Sequence, residues 1–340
     1  MKPPEFLLAY GKVADQRLRA FLEAKRRRFD ELPVDLADAH GFLTDYIVRG
    51  GKRLRGALVV LGERSAGGDG EGALEASIGV ELLHAYLLIH DDFMDGDDLR
   101  RGGPTLHRSL GGDHLGSSLA VLLGSLCQAW AYELVLGDGR PGGGQRQAAQ
   151  IMSRALEDVT LGQMADLRAP RAAPLDARGI LALEQLKTGS YTFEMPLLLG
   201  AALANGAGPL LEALSAYARP LGQAFQIADD LLGSFGAPEV TGKPNASDLR
   251  EGKRTLLVAR ALERASPQDA AALRAGLGNP QADLDQLREI LRRTGAVDFA
   301  RAEAERLRDE ALRALDASAL PADVAQALRE IAVYTVGRTV

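Results

Sequence analysis

The chain has 340 residues, 46% of them hydrophobic, which is enough to bury a large core and argues against disorder. Its 40 basic and 46 acidic residues leave a net charge of -6, so no general attraction to nucleic acid or to an anionic membrane is expected, and any anion site must be local. A single cysteine, Cys127, excludes an intramolecular disulfide framework and fits a reducing compartment.

The N-terminal MKPPEFLLAYGKVADQRLRA lacks the basic segment, apolar core and small-residue cleavage site of a secretory signal, so a cytoplasmic protein is expected. Along most of the sequence apolar residues recur every three or four positions, with no alternation long enough for strands, which predicts an all-α chain. RGGKRLR, Arg49–Arg55, puts Lys52 and Arg55 three apart on one face of a predicted helix start, where free backbone N–H groups suit an anion. Taken alone, such a heptamer is more often a solvated face.

After a break at AGGDGEG, Ala66–Gly72, a helical run over Gly79–Ile89 leads into HDDFMDGDDLRRGG, His90–Gly103. Asp91 and Asp95, four apart, share a helix face with Asp92 beside them, and Gly96 reads as the helix stop. Carboxylates crowded into a last turn repel one another and face the negative end of the helix dipole, a situation that a hard divalent cation relieves. Magnesium bridges carboxylates to phosphates, and Arg100 and Arg101 follow with guanidinium groups suited to phosphate. The bland alternative is an acidic loop paired with these arginines.

Leu115–Tyr132 is free of charge and nearly long enough to span a bilayer, but its Gly, Ser and Gln residues favour a core helix, and no stable membrane insertion is expected. Further breaks fall at Asp138–Gly144 and Ala169–Pro174. Phe225–Gly233, FQIADDLLG, repeats the theme of the first motif with Asp229 and Asp230 near the end of a helical run closed by a glycine. Thr241–Thr255, TGKPNASDLREGKRT, follows with Lys243, Lys253 and Arg254 around Asp248. From Ala265 onward the sequence reads as amphipathic surface helices, such as Gln286–Arg293 and Arg301–Leu315. No linker and no repeat appears, so the 340 residues read as one large helical domain.

In this order GGKRLR, HDDFMDGDDLRRG, GQMAD, LKTGSYTF, FQIADD and TGKPNASDLREGKRT resemble the polyprenyl synthetase family, the trans-isoprenyl diphosphate synthases, over about residues 45 to 260. The resemblance implies a bundle of mostly antiparallel helices around a central cavity, the isoprenoid synthase fold, usually as a homodimer. It implies a prenyltransferase that joins isopentenyl diphosphate to an allylic diphosphate (dimethylallyl, geranyl or farnesyl). Asp91 and Asp95, with Asp92, would ligate two magnesium ions and Asp229, with Asp230, a third. Arg100, Lys187 and Lys243 would complete the shell of the allylic diphosphate. Gly51, Lys52, Arg55, His84 and Arg101 match positions that hold isopentenyl diphosphate, and Lys253 joins the substrate-binding set. Thr188 and Gln226 correspond to residues lining the reacting centre, and Gln163 and Asp166 to the GQxxD motif. The second motif ends in Gly233 where the commoner form has a third aspartate, so Asp229 and Asp248 would carry that metal directly or through water.

Tyr86 and Leu87, five and four residues before Asp91, stand where the growing hydrocarbon would run, and a packed ring there would stop elongation. This pattern resembles short-chain geranylgeranyl synthases, with farnesyl diphosphate the alternative product. A terpene cyclase shares the aspartates and magnesium but needs no second diphosphate site. A non-catalytic partner subunit usually loses an acidic motif, and both are present here.

Overall fold

The computed structural model describes residues 2–137, 144–169, 176–236 and 246–337. The regular structure among them is helical, apart from one antiparallel pair of two-residue strands, β1 (Leu99–Arg100) and β2 (Gly103–Pro104). The chain divides into two compact units, an N-terminal one of Pro4–Ala149 with Leu199–Ala207, and a C-terminal one built from Gln150–Leu198 and Gly208–Val340.

The N-terminal unit contains α1 (Glu5–Asp30), α2 (Ala37–Val48), α3 (Leu54–Ser65), α4 (Leu74–Asp95), the β1–β2 hairpin, α5 (Leu106–Ser109), α6 (His114–Leu136) and the start of α7 (Gly144–Arg168). Leu7, Tyr10, Ala14, Leu18 and Leu22 form a buried stripe at helical spacing on α1. The central helix is α4, packed on α3 and α6 and buried on most sides as far as Ile89. Gly79 permits the close approach of α6, because a Cβ there would lie 2.9 Å from the Ala131 carbonyl oxygen. Helix α4 continues through the first aspartate motif and ends where the sequence predicts, with Gly96 in the left-handed region at φ 70°.

Both α4 and α6 are long and apolar enough to cross a membrane by length and composition, but two-thirds of the apolar window of α4 lies inside the protein. In α6 the fraction is 39%, and Leu115 and Leu122 are 65% and 64% exposed. The sequence expectation of a core helix therefore holds for only one face of α6. The central position that such a helix would need is taken by α4.

The C-terminal unit contains the rest of α7, then α8 (Ala177–Glu184), a π-helical segment (Gln185–Glu194), α9 (Met195–Leu203, whose end belongs to the N-terminal unit), and α10 (Gly208–Phe235). It continues with α11 (Ser247–Glu251), α12 (Leu256–Arg264), α13 (Pro267–Gly276), α14 (Leu284–Arg293), α15 (Ala296–Asp316) and α16 (Ala322–Val336). Helix α10 packs against the π segment and α15. Phe193 and Phe225 meet edge to face at 5.5 Å, and the buried Tyr217 hydroxyl donates to the Leu328 carbonyl at 2.7 Å. Side-chain caps start several helices, among them Asp176, Thr255, Ser266 and Asp283.

The helices beyond Ala265 are amphipathic as expected, and their inner stripe is part of the core. Ala300, Ala304, Leu307, Ala311 and Leu315 of α15 are all buried. Arg288 of α14 donates from Nε to the Ser234 carbonyl at 2.8 Å, and Arg292 stacks over Phe235, so α14 secures the end of α10.

A Cβ at Gly200 in α9 would lie 1.9 Å from the Val59 carbonyl oxygen and 2.9 Å from the Glu63 nitrogen, both backbone atoms of α3. Gly200→Ala is therefore expected to destabilise the protein by about 1–3 kcal/mol, the ordinary cost of overpacking, read as a lower urea midpoint at unchanged m-value.

Candidate active site

In the N-terminal unit the basic loop is shaped by backbone that is uncommon for L-residues. Gly50 and Gly51 have φ of 112° and 145°, and Arg53 has φ 48°, so α3 begins only at Leu54. The expectation that Lys52 and Arg55 share one helical face is thereby corrected. Arg55 lies in the first turn of α3, whereas Lys52 precedes the helix at an exposed, irregular position.

Arg101 donates to the Gly50 carbonyl, and a Cβ on Gly51 would come within 3.1 Å of its guanidinium carbon. Arg49 donates to the Pro104 carbonyl at 2.7 Å, which ties the same loop to the β1–β2 hairpin. Arg55 Nη1 lies 3.2 Å from His84 Nε2, an arrangement that makes the imidazole the acceptor. Gly51, Arg55, His84 and Arg101 are thus gathered into one basic cradle, with Lys52 on the same loop.

Burial, reinforced by the guanidinium groups of Arg55, Arg101, Arg100 and Arg53, holds His84 well below its ordinary value. Burial together with Arg53 also lowers Arg101, while Glu81 acts the other way. Cations disfavoured by their own surroundings gain from an anion.

The first aspartate motif separates into two roles. Asp92 is fully buried, its Oδ2 accepting from the Tyr46 hydroxyl at 2.6 Å and its Oδ1 from Arg100 Nε at 2.7 Å and also from Arg100 Nη2. Burial lifts the Asp92 carboxyl above its usual range, with Arg100 opposing the shift. Both oxygens are engaged, so Asp92 ties the α4 terminus to Tyr46 and Arg100. Arg100 pairs with Asp92 and, at 3.2 Å, with Asp97. Asp91 and Asp95, one turn apart, remain partly exposed.

One turn back on α4, Tyr86 and Leu87 are half-buried. The Tyr86 ring meets His90 edge to face at 4.6 Å, and His90 Nε2 lies 3.0 Å from the Val121 carbonyl of α6. Gly124 leaves room for that imidazole, since a Cβ there would be 2.7 Å from its ring.

In the C-terminal unit Gln163 and Asp166 lie on α7, and Lys187 and Thr188 on the π segment. Lys187 Nζ pairs with Asp166 Oδ2 at 2.5 Å, and Gly162 allows α7 to reach the Lys187 backbone. The Gln163 amide nitrogen is buried without a hydrogen-bond partner among the described residues.

The second aspartate pair repeats the pattern of the first. Asp229 is partly exposed, whereas Asp230 is 4% exposed and accepts from Gln226 Nε2 at 2.7 Å. Burial and the nearby Asp248 push Asp230 up to about 8, and burial with Asp230 beside it raises Glu184 well above the carboxylate range. Burial thus disfavours the charged form of both carboxyls in this pair.

Gly233 does not stop its helix, because α10 runs on to Phe235. The volume a Cβ would take there holds the Asp248 carboxylate, 2.0 Å from the Cβ position. Lys253 pairs with Glu251 at 2.6 Å and approaches Asp248 at 3.6 Å. Lys243 lies outside the described residues. Tyr46 and Glu184 carry no sequence signal, since each matters through a residue distant in the chain.

Residues 41–294 match the family described as polyprenyl synthetase, and the chain belongs to that family. It is 32% identical to a geranylgeranyl diphosphate synthase of Saccharolobus solfataricus, over 99% of each chain. It is 35% identical to a (2E,6E)-farnesyl diphosphate synthase of Mycobacterium tuberculosis, covering 85% of this chain and 80% of that one. Among solved structures, the geranylgeranyl pyrophosphate synthase of Corynebacterium glutamicum, complexed with isoprenyl diphosphate and magnesium, superposes with a TM-score of 0.91 at 33% identity. That match covers 97% of this chain and 98% of the other.

Because His84 stays neutral in the fold while the unfolded imidazole takes up a proton near its ordinary value of 6.5, the unfolded state binds more protons below that pH. Lowering the pH from 7 to 5 is therefore expected to cost at most about 2 kcal/mol through this residue. Urea melts across that range should show a shallower pH slope for His84→Asn than for the natural chain.

Proposed function

We propose that this trans-isoprenyl diphosphate synthase, an enzyme of prenyl chain elongation, condenses isopentenyl diphosphate with dimethylallyl, geranyl and farnesyl diphosphates to give geranylgeranyl diphosphate. The observation that carries the reading is the cradle of Gly51, Arg55, His84 and Arg101 beside the helix that ends in Asp91 and Asp95. A terpene cyclase would have no use for such a second diphosphate site. Farnesyl diphosphate is the alternative product.

Asp91 and Asp95 on α4 and Asp229 on α10 would hold magnesium, three ions in all. Among the described residues no three acidic, histidine or cysteine side chains form a closed cage. Magnesium suits such an open site, because it takes one or two carboxylates and completes its shell with water and phosphate oxygens. When bound, it supplies Lewis-acid stabilisation of the diphosphate leaving group.

The chain's own residues do the rest. Asp92, held by Tyr46 and Arg100, fixes the turn that presents Asp91 and Asp95. Lys187, steadied by Asp166, offers a cation to the allylic diphosphate, as does Lys253, while Thr188 and Gln226 border the reacting carbons. Lys52, Arg55 and Arg101 grip the second diphosphate, and neutral His84 orients Arg55. Capture of the allylic cation by the second substrate's double bond then competes with water, and the proton leaves to the released diphosphate.

The Tyr86–His90 pair, tied to Val121, supports a floor under the growing chain at the twenty-carbon length. The exposed apolar stripe of α6, with Leu115 and Leu122, suits contact with a second copy in a homodimer. The buried, unpaired Cys127 is consistent with the cytoplasm, and the 340 residues would serve as one synthase domain.

Purified chain incubated with labelled isopentenyl diphosphate and each allylic diphosphate should yield a twenty-carbon product. Omission of isopentenyl diphosphate, or addition of a chelator, should abolish it. Conversion of an allylic diphosphate by itself would point to a cyclase, and inactivity of the chain alone to a partner subunit. Asp91→Asn is expected to lower kcat at least about 100-fold. Tyr86→Ala should lengthen the product, and an unchanged chain length would locate the floor elsewhere.

A further inference from the structure

Arg53 lies between Lys52 and Arg55 in a left-handed conformation that a bulky L-residue adopts only when its surroundings impose it. Its side chain is 3% exposed, and a buried guanidinium persists only when it is paired and hydrogen bonded. The partners come from three helices. Nε donates to Asp15 Oδ1 of α1 at 2.8 Å, Nη2 to the Ile47 carbonyl of α2 at 2.9 Å, and Nη1 lies 3.6 Å from Glu81 Oε2 of α4.

Glu81 is equally buried, and its other oxygen accepts from the Gly56 backbone N–H at 2.8 Å. One carboxylate therefore holds both ends of the turn that separates Lys52 from the body of α3. Three residues further along the same helix stands His84, the neighbour of Arg55. A displacement of Glu81 would shift Lys52 and Arg55 relative to His84 and to Arg101, which is tied to the loop through Gly50.

We propose that Glu81, acting through Arg53 and the Gly56 N–H, is the positioning residue that sets the spacing of Lys52 and Arg55 for the diphosphate of isopentenyl diphosphate. The inference rests on the assignment of that loop to this substrate. Two effects of removing the Glu81 charge oppose one another. The local positive potential rises, which favours an anion, while Arg53 loses its restraint and the loop its fixed shape. Multidentate phosphate binding depends on geometry, so loss of shape dominates.

The test is steady-state kinetics of Glu81→Gln with each substrate varied in turn, alongside thermal melting. The expected result is a KM for isopentenyl diphosphate raised at least about 5-fold, with kcat and the KM for the allylic diphosphate within about 2-fold of the natural chain. An unchanged or lowered KM for isopentenyl diphosphate, or an equal rise in both KM values, overturns the inference. Should Glu81→Gln fail to fold, Asp15→Asn, at a half-exposed carboxylate on the same guanidinium, must give the same selective rise. Lys52→Ala separates the two levels of the argument. If it leaves the KM for isopentenyl diphosphate unmoved, the loop assignment falls and the inference with it. If Lys52→Ala raises that KM and Glu81→Gln does not, only the positioning role of Glu81 falls.

Discussion

A carboxylate taken out of water must be paired, hydrogen bonded or protonated, and both aspartate pairs of this chain are organised by that requirement. In the first pair Asp92 meets it with the Tyr46 hydroxyl and the fork of Arg100. In the second, Asp230 accepts from the Gln226 amide, and burial lifts both its carboxyl and that of Glu184. Each inner aspartate faces the core, so the preceding residue, Asp91 or Asp229, lies on the partly exposed side of its helix. Adjacent acidic residues thus differ in burial, one inward and one partly exposed, and the difference is dictated by which face of the helix the core claims.

The basic side of the site obeys the same rule with the signs reversed. Burial disfavours the charges on His84 and Arg101, and in the cradle it is His84 that yields its proton. The buried guanidinium of Arg53 is surrounded by Asp15, Glu81 and the Ile47 carbonyl. The loop 49–55 is consequently held from behind by ion pairs.

Much of this was legible in the sequence. Three- and four-residue apolar spacing gave the helical class, and Gly96 marked the true end of α4 because glycine takes the left-handed conformation that closes a helix. The residue types of the acidic and basic motifs pointed to metal and phosphate chemistry. What one-dimensional spacing could not separate was the inward from the outward member of each aspartate pair, since that depends on Tyr46 and Glu184, far away in the chain. The same holds for the left-handed turn at Arg53, whose cause lies on three other helices. The π-helical segment carrying Lys187 and Thr188 also escaped notice, because nothing in QLKTGSYTFE distinguishes a wider turn from an α-helix, and it lies packed against α10, where Gly222 meets Gly189.

The neighbourhood of Gly233 has a bearing on how such chains are compared. Asp248 reaches into the space directly above that residue, so a side chain at 233 and the present rotamer of Asp248 are mutually exclusive tenants of one volume. A column-by-column comparison would score the glycine as a missing acid. In three dimensions a carboxylate does stand at this place, borne by a residue fifteen positions downstream, so motif spelling alone undercounts the acidic side chains at this turn.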